Sequence, residues 1–148
     1  MAETALRSSL STAFGHSQCL LCGESNPLSL KLAFSLADDG SVTARFESQP
    51  GLQGYDGIQH GGVTASLLDA AMTHCLFHHG IKALTADLHI RYARAIACDA
   101  SLNLWASIIA SRPPLYRLRA EISQDGRLMA WGEAKFLDRA SQQAVFGT

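Results

Sequence analysis

Two glycines that open a helix directly after a histidine are the first residues to weigh. The stretch runs Asp56-Gly57-Ile58-Gln59-His60-Gly61-Gly62-Val63 and continues to Leu67-Leu68-Asp69-Ala70-Ala71-Met72-Thr73. Glycine lets a ligand approach the backbone closely. The first N–H groups of a helix have no intrahelical acceptor and carry a partial positive charge. His60, Gly61 and Gly62 therefore form a candidate anion or oxyanion site. Asp69 and Thr73 follow, one helical turn apart on one face. A carboxylate beside a hydroxyl can position and activate a water, or attack an electrophile directly.

Spacing limits how these groups combine. The nine residues from His60 to Asp69 span roughly 13 Å of helix at 1.5 Å per residue. One copy of the helix cannot bring the Gly61 N–H and Asp69 to the same carbonyl. Two copies running antiparallel across a two-fold axis can, so a site of this kind is expected to be shared, with the dimer as its minimum unit. The residues alone leave a plainer reading open, in which His-Gly-Gly is a tight loop and Asp69 is tied into a core hydrogen bond.

The surrounding pattern supplies the scaffold. Leu28, Leu30, Leu32, Phe34 and Leu36 alternate with more polar positions, the period of a half-buried strand. Asp38-Asp39-Gly40 is a turn signal, and Val42, Ala44 and Phe46 continue as a hairpin partner. Pro50 to Gly57 reads as a loop. From Gly61 to about His79 the period becomes helical: Val63, Leu67, Leu68, Ala71, Met72 and Cys75 share a broad apolar face, and Gly62, Ser66, Asp69 and Thr73 a narrow opposite strip. Gly80 stops the helix. Four alternating runs follow, carrying Leu84 to Tyr92, Leu102 to Ile108, Leu118 to Ile122 and Leu128 to Phe136; Asp125-Gly126 marks a hairpin between the last two. Short turns between consecutive runs favour antiparallel pairing. The expected fold is one α+β domain over residues 1–148, with about six antiparallel strands packed around one long helix. Leu6, Leu10 and Phe14 fall at helical spacing, so residues 1–17 read as a short N-terminal helical extension.

Composition excludes several classes. The chain has 148 residues, 47% of them hydrophobic and 17% charged, which suits one folded domain with a real core. Its net charge of −1 argues against phosphate-driven nucleic-acid binding. No apolar run approaches the roughly 18 residues needed to span a bilayer. The N-terminus lacks the pattern of a signal peptide; a transit peptide is a minor reading beside a cytoplasmic location. Four cysteines in a chain of this size do not suggest a disulfide framework. Cys19-x-x-Cys22 with His16 offers three metal ligands where a structural zinc wants four, so no metal is expected, and the pair reads as a turn tucking the N-terminal segment onto the sheet. His74 and His78 are spaced i, i+4 without the glutamate of a metalloprotease motif, and read as solvated or interfacial. Trp105 and Trp131 fall on the face opposite the main apolar series.

His60-Gly61-Gly62 followed by Leu67-Leu68-Asp69-Ala70-Ala71-Met72 resembles the hot-dog-fold acyl-CoA thioesterases of the phenylacetate-pathway (PaaI-like, 4-hydroxybenzoyl-CoA thioesterase) type. Cys19-Leu20-Leu21-Cys22-Gly23, Asn26-Pro27 and Leu30 resemble the opening of one branch of that family, and Thr85 to Tyr92 its strand after the helix. The likeness covers most of the chain from about Cys19 to Asp138. It implies a sheet wrapped around a central helix and hydrolysis of an acyl-CoA, with no metal or redox cofactor. It further implies that the Gly61 N–H polarises the thioester carbonyl and that His60 helps hold it. Asp69 from the partner subunit would be nucleophile or general base, and Thr73 would assist. Gly62 and Thr85 would line the same substrate pocket, and Tyr92, Arg94 and Arg112 would meet coenzyme A. The implied assembly is a homodimer that pairs further into a homotetramer, without a nucleic-acid or membrane partner. Two positions depart from the family: Gly54 stands where many relatives carry an amide, with Gln53, Asp56 or Gln59 as substitutes, and Ala95 where a proline is common. A non-catalytic acyl-CoA or aromatic-ligand module on the same fold is the alternative.

Overall fold

The computed structural model describes residues 10–138. A single antiparallel sheet is built from β1 (Ser35–Leu36), β2 (Val42–Glu47), β3 (Ala83–Tyr92), β4 (Ser101–Arg112), β5 (Leu115–Gln124) and β6 (Arg127–Asp138), in the order β1-β2-β4-β5-β6-β3. The long helix, Gly61–His78, packs against β2 through β6. Helical residues at 10–13 form the short N-terminal helix; Leu6 lies outside the described residues. No helix among the described residues is long and apolar enough to cross a membrane.

Alternation explains the sheet's inner face. Val42, Leu102, Leu104, Ala106, Leu118, Ala120, Ile122, Ala130 and Phe136 are all buried against Leu67, Leu68, Met72 and Cys75 of the helix. On the outer face one register row aligns Thr43, Trp105, Glu121, Trp131 and Arg91 across five strands. The β5–β6 hairpin turns on Asp125 and Gly126, both at positive φ (51° and 77°), the conformation that a two-residue Asp-Gly turn provides.

Two expectations about the strands change. The alternating run from Leu28 to Leu36 is not one strand; only Ser35 and Leu36 pair with β2. Lys31 takes a left-handed conformation (φ 56°), which breaks an extended run. The preceding residues pair instead with residues 20–21, through Leu30 N–H to Leu20 O and Leu32 N–H to Leu21 O (both 2.9 Å). In β3, a bulge between Thr85 and Asp87 reverses the phase of the alternation. Leu84 and Ala86 are exposed as a result, whereas Ala83 is buried, Thr85 is half-buried, and Leu88 and Ile90 pack on the core.

The long helix is covered on both sides. Beyond its sheet-facing residues, Ala70, His74 and Phe77 are also buried. Their cover is the N-terminal segment: Phe14 stacks on Phe77 (4.5 Å between centroids), His16 meets Phe77 edge-on (4.8 Å), and Phe34 stacks on His74 (4.9 Å). Cys19 and Cys22 border a cavity with Ser66, Asp69, Thr73 and His74 of the helix, and Cys22 also belongs to the shared core. His74, expected near solvent, is 4% exposed, and burial lowers its pKa to about 4, so it is neutral.

Candidate active site

The start of the long helix is shaped by its glycines. His60 is the N-cap, and its Nδ1 accepts a hydrogen bond from the Gly62 N–H at 2.8 Å. A side chain at Gly62 would press on that ring, with a Cβ only 3.0 Å from Nδ1. His60 thus consumes the Gly62 donor and leaves the Gly61 N–H, which finds no acceptor among the described residues. Tyr92 secures the turn by donating its hydroxyl to Gly61 O at 2.8 Å.

This helix end opens into a cavity of about 770 Å³ lined by Gly54, Tyr55, Gln59, His60, Gly61, Tyr92 and Arg94, among others. That volume suits a small-molecule ligand. Arg94 donates one guanidinium hydrogen bond to Leu128 O (3.1 Å), which holds it at the rim.

Asp69 lies elsewhere. It borders a smaller cavity of about 110 Å³ with Ser66, Thr73, His74, His16, Cys19 and Cys22. Thr85 Oγ1 donates to Asp69 Oδ1 at 2.6 Å, a contact made by the residue that the β3 bulge turns inward. Burial raises the Asp69 pKa above the ordinary carboxylate value, while the Thr85 bond and the nearby His16 pull it back part of the way. An acid of this kind holds a proton more readily than a solvated one, as a general base must.

The likeness to known proteins decides the family. Residues 56–130, just over half of the chain, match the family model described as the thioesterase superfamily. The chain belongs to the thioesterase superfamily. A thioesterase superfamily protein of known crystal structure superposes with a TM-score of 0.73 at 28% identity, over 78% of this chain and 60% of that one. This chain therefore spans less than two thirds of that protein's length. A conserved protein from Pseudomonas aeruginosa gives 0.66 at 26% identity, over 74% and 89%. A hypothetical thioesterase from Streptococcus pneumoniae, solved with coenzyme A, gives 0.69 at 18% identity, over 73% and 88%. A search of curated proteins found no significant match. The six-stranded sheet with its one long helix is the hot-dog thioesterase fold.

Within this thioesterase domain the residues singled out from the sequence fall into two groups. His60, Gly61, Tyr92 and Arg94 line the large cavity, and Asp69 and Thr73 line the small one, with Thr85 bonded to Asp69. Gly62 supports His60 instead of facing the cavity. Arg112 sits in neither. It ends β4, in register with Leu115, Leu137 and Leu84, whereas Tyr92 ends β3 at the other edge of that register. The eight-residue step from Leu84 to Tyr92 puts Arg112 and Tyr92 roughly 25 Å apart along the strands.

The missing amide has a local answer. Gly54 packs under the histidine, where a Cβ would lie 3.3 Å from His60 Cα. Gln53 is used in the loop, bonding Pro50 O and the Gly57 N–H (both 2.8 Å). Gln59 is the amide that lines the cavity: it is buried, its Nε2 donates to Thr64 Oγ1 at 2.8 Å, and its Oε1 has no partner among the described residues. Its place next to His60 was the only signal in the sequence.

Proposed function

We propose that this domain hydrolyses acyl-CoA thioesters, as PaaI-like hot-dog thioesterases do, at a site completed by two copies of the chain. The observation that carries the reading is the separation of the two halves. Gly61, with its available N–H, lines one cavity, and Asp69, eight residues on and with a pKa raised by burial, borders another. Roughly 12 Å of helix divides them. Neither half suffices for acyl transfer, and an antiparallel pair of helices joins each Gly61 to the partner subunit's Asp69. The coenzyme A held by the pneumococcal relative supports the ligand class.

In the proposed reaction the thioester carbonyl oxygen accepts from Gly61 N–H at the positive end of the helix, with the His60-capped turn holding that donor in place. Asp69 takes a proton from water as the water oxygen bonds to the carbonyl carbon and passes it to the departing sulfur. In the alternative its own oxygen attacks, giving a mixed anhydride that water then cleaves, with the water's proton going to the thiolate. The C–S bond breaks, coenzyme A leaves as the thiol, and the acid is released. Thr85 holds Asp69 Oδ1, and Thr73 lines the same space. Tyr92 and Arg94 border the entrance, where the guanidinium meets a coenzyme A phosphate. Arg112 reaches coenzyme A only if the partner supplies it. No further cofactor takes part, and the working unit is a homodimer or a tetramer of two such pairs, free in the cytoplasm.

Mixing tests the shared site. Gly61→Pro and Asp69→Asn homodimers are each expected to be inactive towards a panel of acyl-CoAs followed by thiol release. After co-refolding at equal ratio, each heterodimer carries one intact site and one doubly altered site, so up to roughly a quarter of wild-type turnover returns. No recovery at any ratio, with heterodimers present by mass, overturns the two-copy site.

The pH profile tests the Thr85 contact. That hydrogen bond favours the charged carboxylate, so Thr85→Val raises the Asp69 pKa further. Because the ionised form is the active one, the acid limb of kcat/KM moves to higher pH and activity recovers on the alkaline side. Thr85→Ser restores the wild-type limb. An unmoved limb in Thr85→Val disconnects the hydroxyl from Asp69.

A further inference from the structure

The turn that carries Cys19 and Cys22 has the geometry of a metal-binding loop. Among the described residues it contains the one cluster of metal-ligating side chains: one ligand atom each from His16, Cys19 and Cys22 lies within 4.8 Å of the other two. Cys22 Sγ is 3.6 Å from His16 Nδ1. A tetrahedral zinc with bonds of about 2.3 Å to sulfur and 2.0–2.1 Å to nitrogen places those two ligand atoms about 3.6 Å apart. The separation fits a common metal without movement of either side chain.

The backbone favours a thiolate at Cys19, whereas burial pushes the Cys22 thiol up to about 12, so a metal would have to displace that proton. The Leu21 N–H donates to Cys19 Sγ at 3.3 Å, a bond that stabilises charge on that sulfur. Gly23 N–H donates to Cys19 O (2.8 Å) and Cys19 N–H to His16 O (3.1 Å), which wind all three ligands onto one side of the loop. Only glycine fits after Cys22, since a Cβ at Gly23 would sit 2.5 Å from Cys19 N and 2.6 Å from both Cys19 O and Ser17 O.

A second observation lies across from the loop. The three side chains face the cavity of about 110 Å³ that Ser66, Asp69, Thr73 and His74 close from the helix. The cavity has room for a water as fourth ligand. His74 is 4% exposed, and its Nε2 has no hydrogen-bond partner among the described residues. A buried polar nitrogen left unpaired on a residue that lines the cavity marks a place where a bound group belongs.

We infer that His16 Nδ1, Cys19 Sγ and Cys22 Sγ bind one zinc ion, with a water in the fourth position, and that this ion clips the N-terminal segment to the outer face of the long helix. Sequence spacing discounted the site for want of a fourth protein ligand. The fold offers a water that place in the small cavity beside the loop. Binding releases the thiol protons and leaves neutral His16 as the nitrogen donor.

Reduced full-length protein, stripped of metal, is titrated with Zn²⁺ and Co²⁺ separately. The expected result is one ion per chain by elemental analysis, and for cobalt an intense thiolate-to-metal band with tetrahedral visible bands. Zn²⁺ raises Tm, as a ligand of the folded state must. Cys19→Ser/Cys22→Ser and His16→Ala lower the affinity by more than about 100-fold, beyond the 10–100-fold loss typical of altered outer-shell partners. Should those variants fail to fold, alkylation of the wild type decides: Zn²⁺ protects Cys19 and Cys22 and leaves the labelling of Cys98 unchanged. No stoichiometric uptake by the reduced wild type overturns the site. So does uptake unchanged in folded variants, or a Cys19–Cys22 disulfide forming while added zinc stays free.

Discussion

Asp69→Asn is expected to abolish measurable thioester hydrolysis, with a loss of about 10² to 10⁴ in kcat, the range for removing a positioned general base. The loss comes without unfolding, and the same variant is expected to be more stable than the wild type at neutral pH. Burial raises the Asp69 pKa, so the folded state holds its proton more tightly than the unfolded chain. The stabilising contribution is complete below the unfolded pKa and is lost as pH rises through the folded one. Once ionised, the wild-type carboxylate is a partly desolvated charge. Asparagine has nearly the same shape, keeps an oxygen to accept from Thr85, and carries no charge. Its Tm advantage should be present at pH 7 and shrink as acid protonates Asp69. Thermal melts at both ends of that range, beside thiol-release kinetics, check the two halves together. A folded Asp69→Asn protein with full turnover would remove Asp69 from the chemistry. An advantage that persists unchanged into acid would show that the carboxylate is not strained by burial.

Gly61→Pro carries the second large effect, a loss of about 10² to 10³ in kcat, the scale of one oxyanion donor. The substitution is unusually clean at this position. Gly61 is the first helical residue, where proline is favoured because its missing N–H has no intrahelical acceptor to serve. His60 before it already has ψ 133°, outside the helical region that a following proline disfavours. A Cβ at Gly61 would meet the Tyr92 ring at 3.6 Å, ordinary contact with no clash. Proline therefore deletes the donor and leaves the helix start intact. Gly61→Ala, which adds the same Cβ and keeps the N–H, is the steric control and should lose far less than Gly61→Pro. Equal losses in the two would assign the effect to crowding of the cavity. A folded Gly61→Pro enzyme with undiminished kcat would show that the oxyanion is held elsewhere.

Both predictions depend on features that are local in the chain, and those were legible before any coordinates. His60-Gly61-Gly62 marks a helix start because a capping side chain and two small residues meet there, and the helix indeed begins at Gly61. The Asp69 spacing alone shows that one helix cannot unite donor and acid, since helical rise is invariant. Inward alternation along β2, β4 and β5, and the Asp125-Gly126 turn, follow from period-2 geometry and the backbone freedom of a glycine turn.

Packing between distant residues decided the rest. Alternation is blind to an inserted residue, so the β3 bulge that exposes Leu84 and turns Thr85 toward Asp69 left no mark in the pattern. Thr73, one turn from Asp69, was the nearer hydroxyl in sequence, yet the bond to Oδ1 comes from Thr85, sixteen residues away. The left-handed Lys31 ended a run that alternation alone would have extended. Above all, the composition of the long helix showed that it is buried, but not by what. Phe14, His16 and Phe34 cover its outer face, and the same segment sets His16 beside Cys19 and Cys22 at the cavity that Asp69 lines. The apolar surface of a helix attracts any apolar partner, and only the path of the folded chain selects which one arrives.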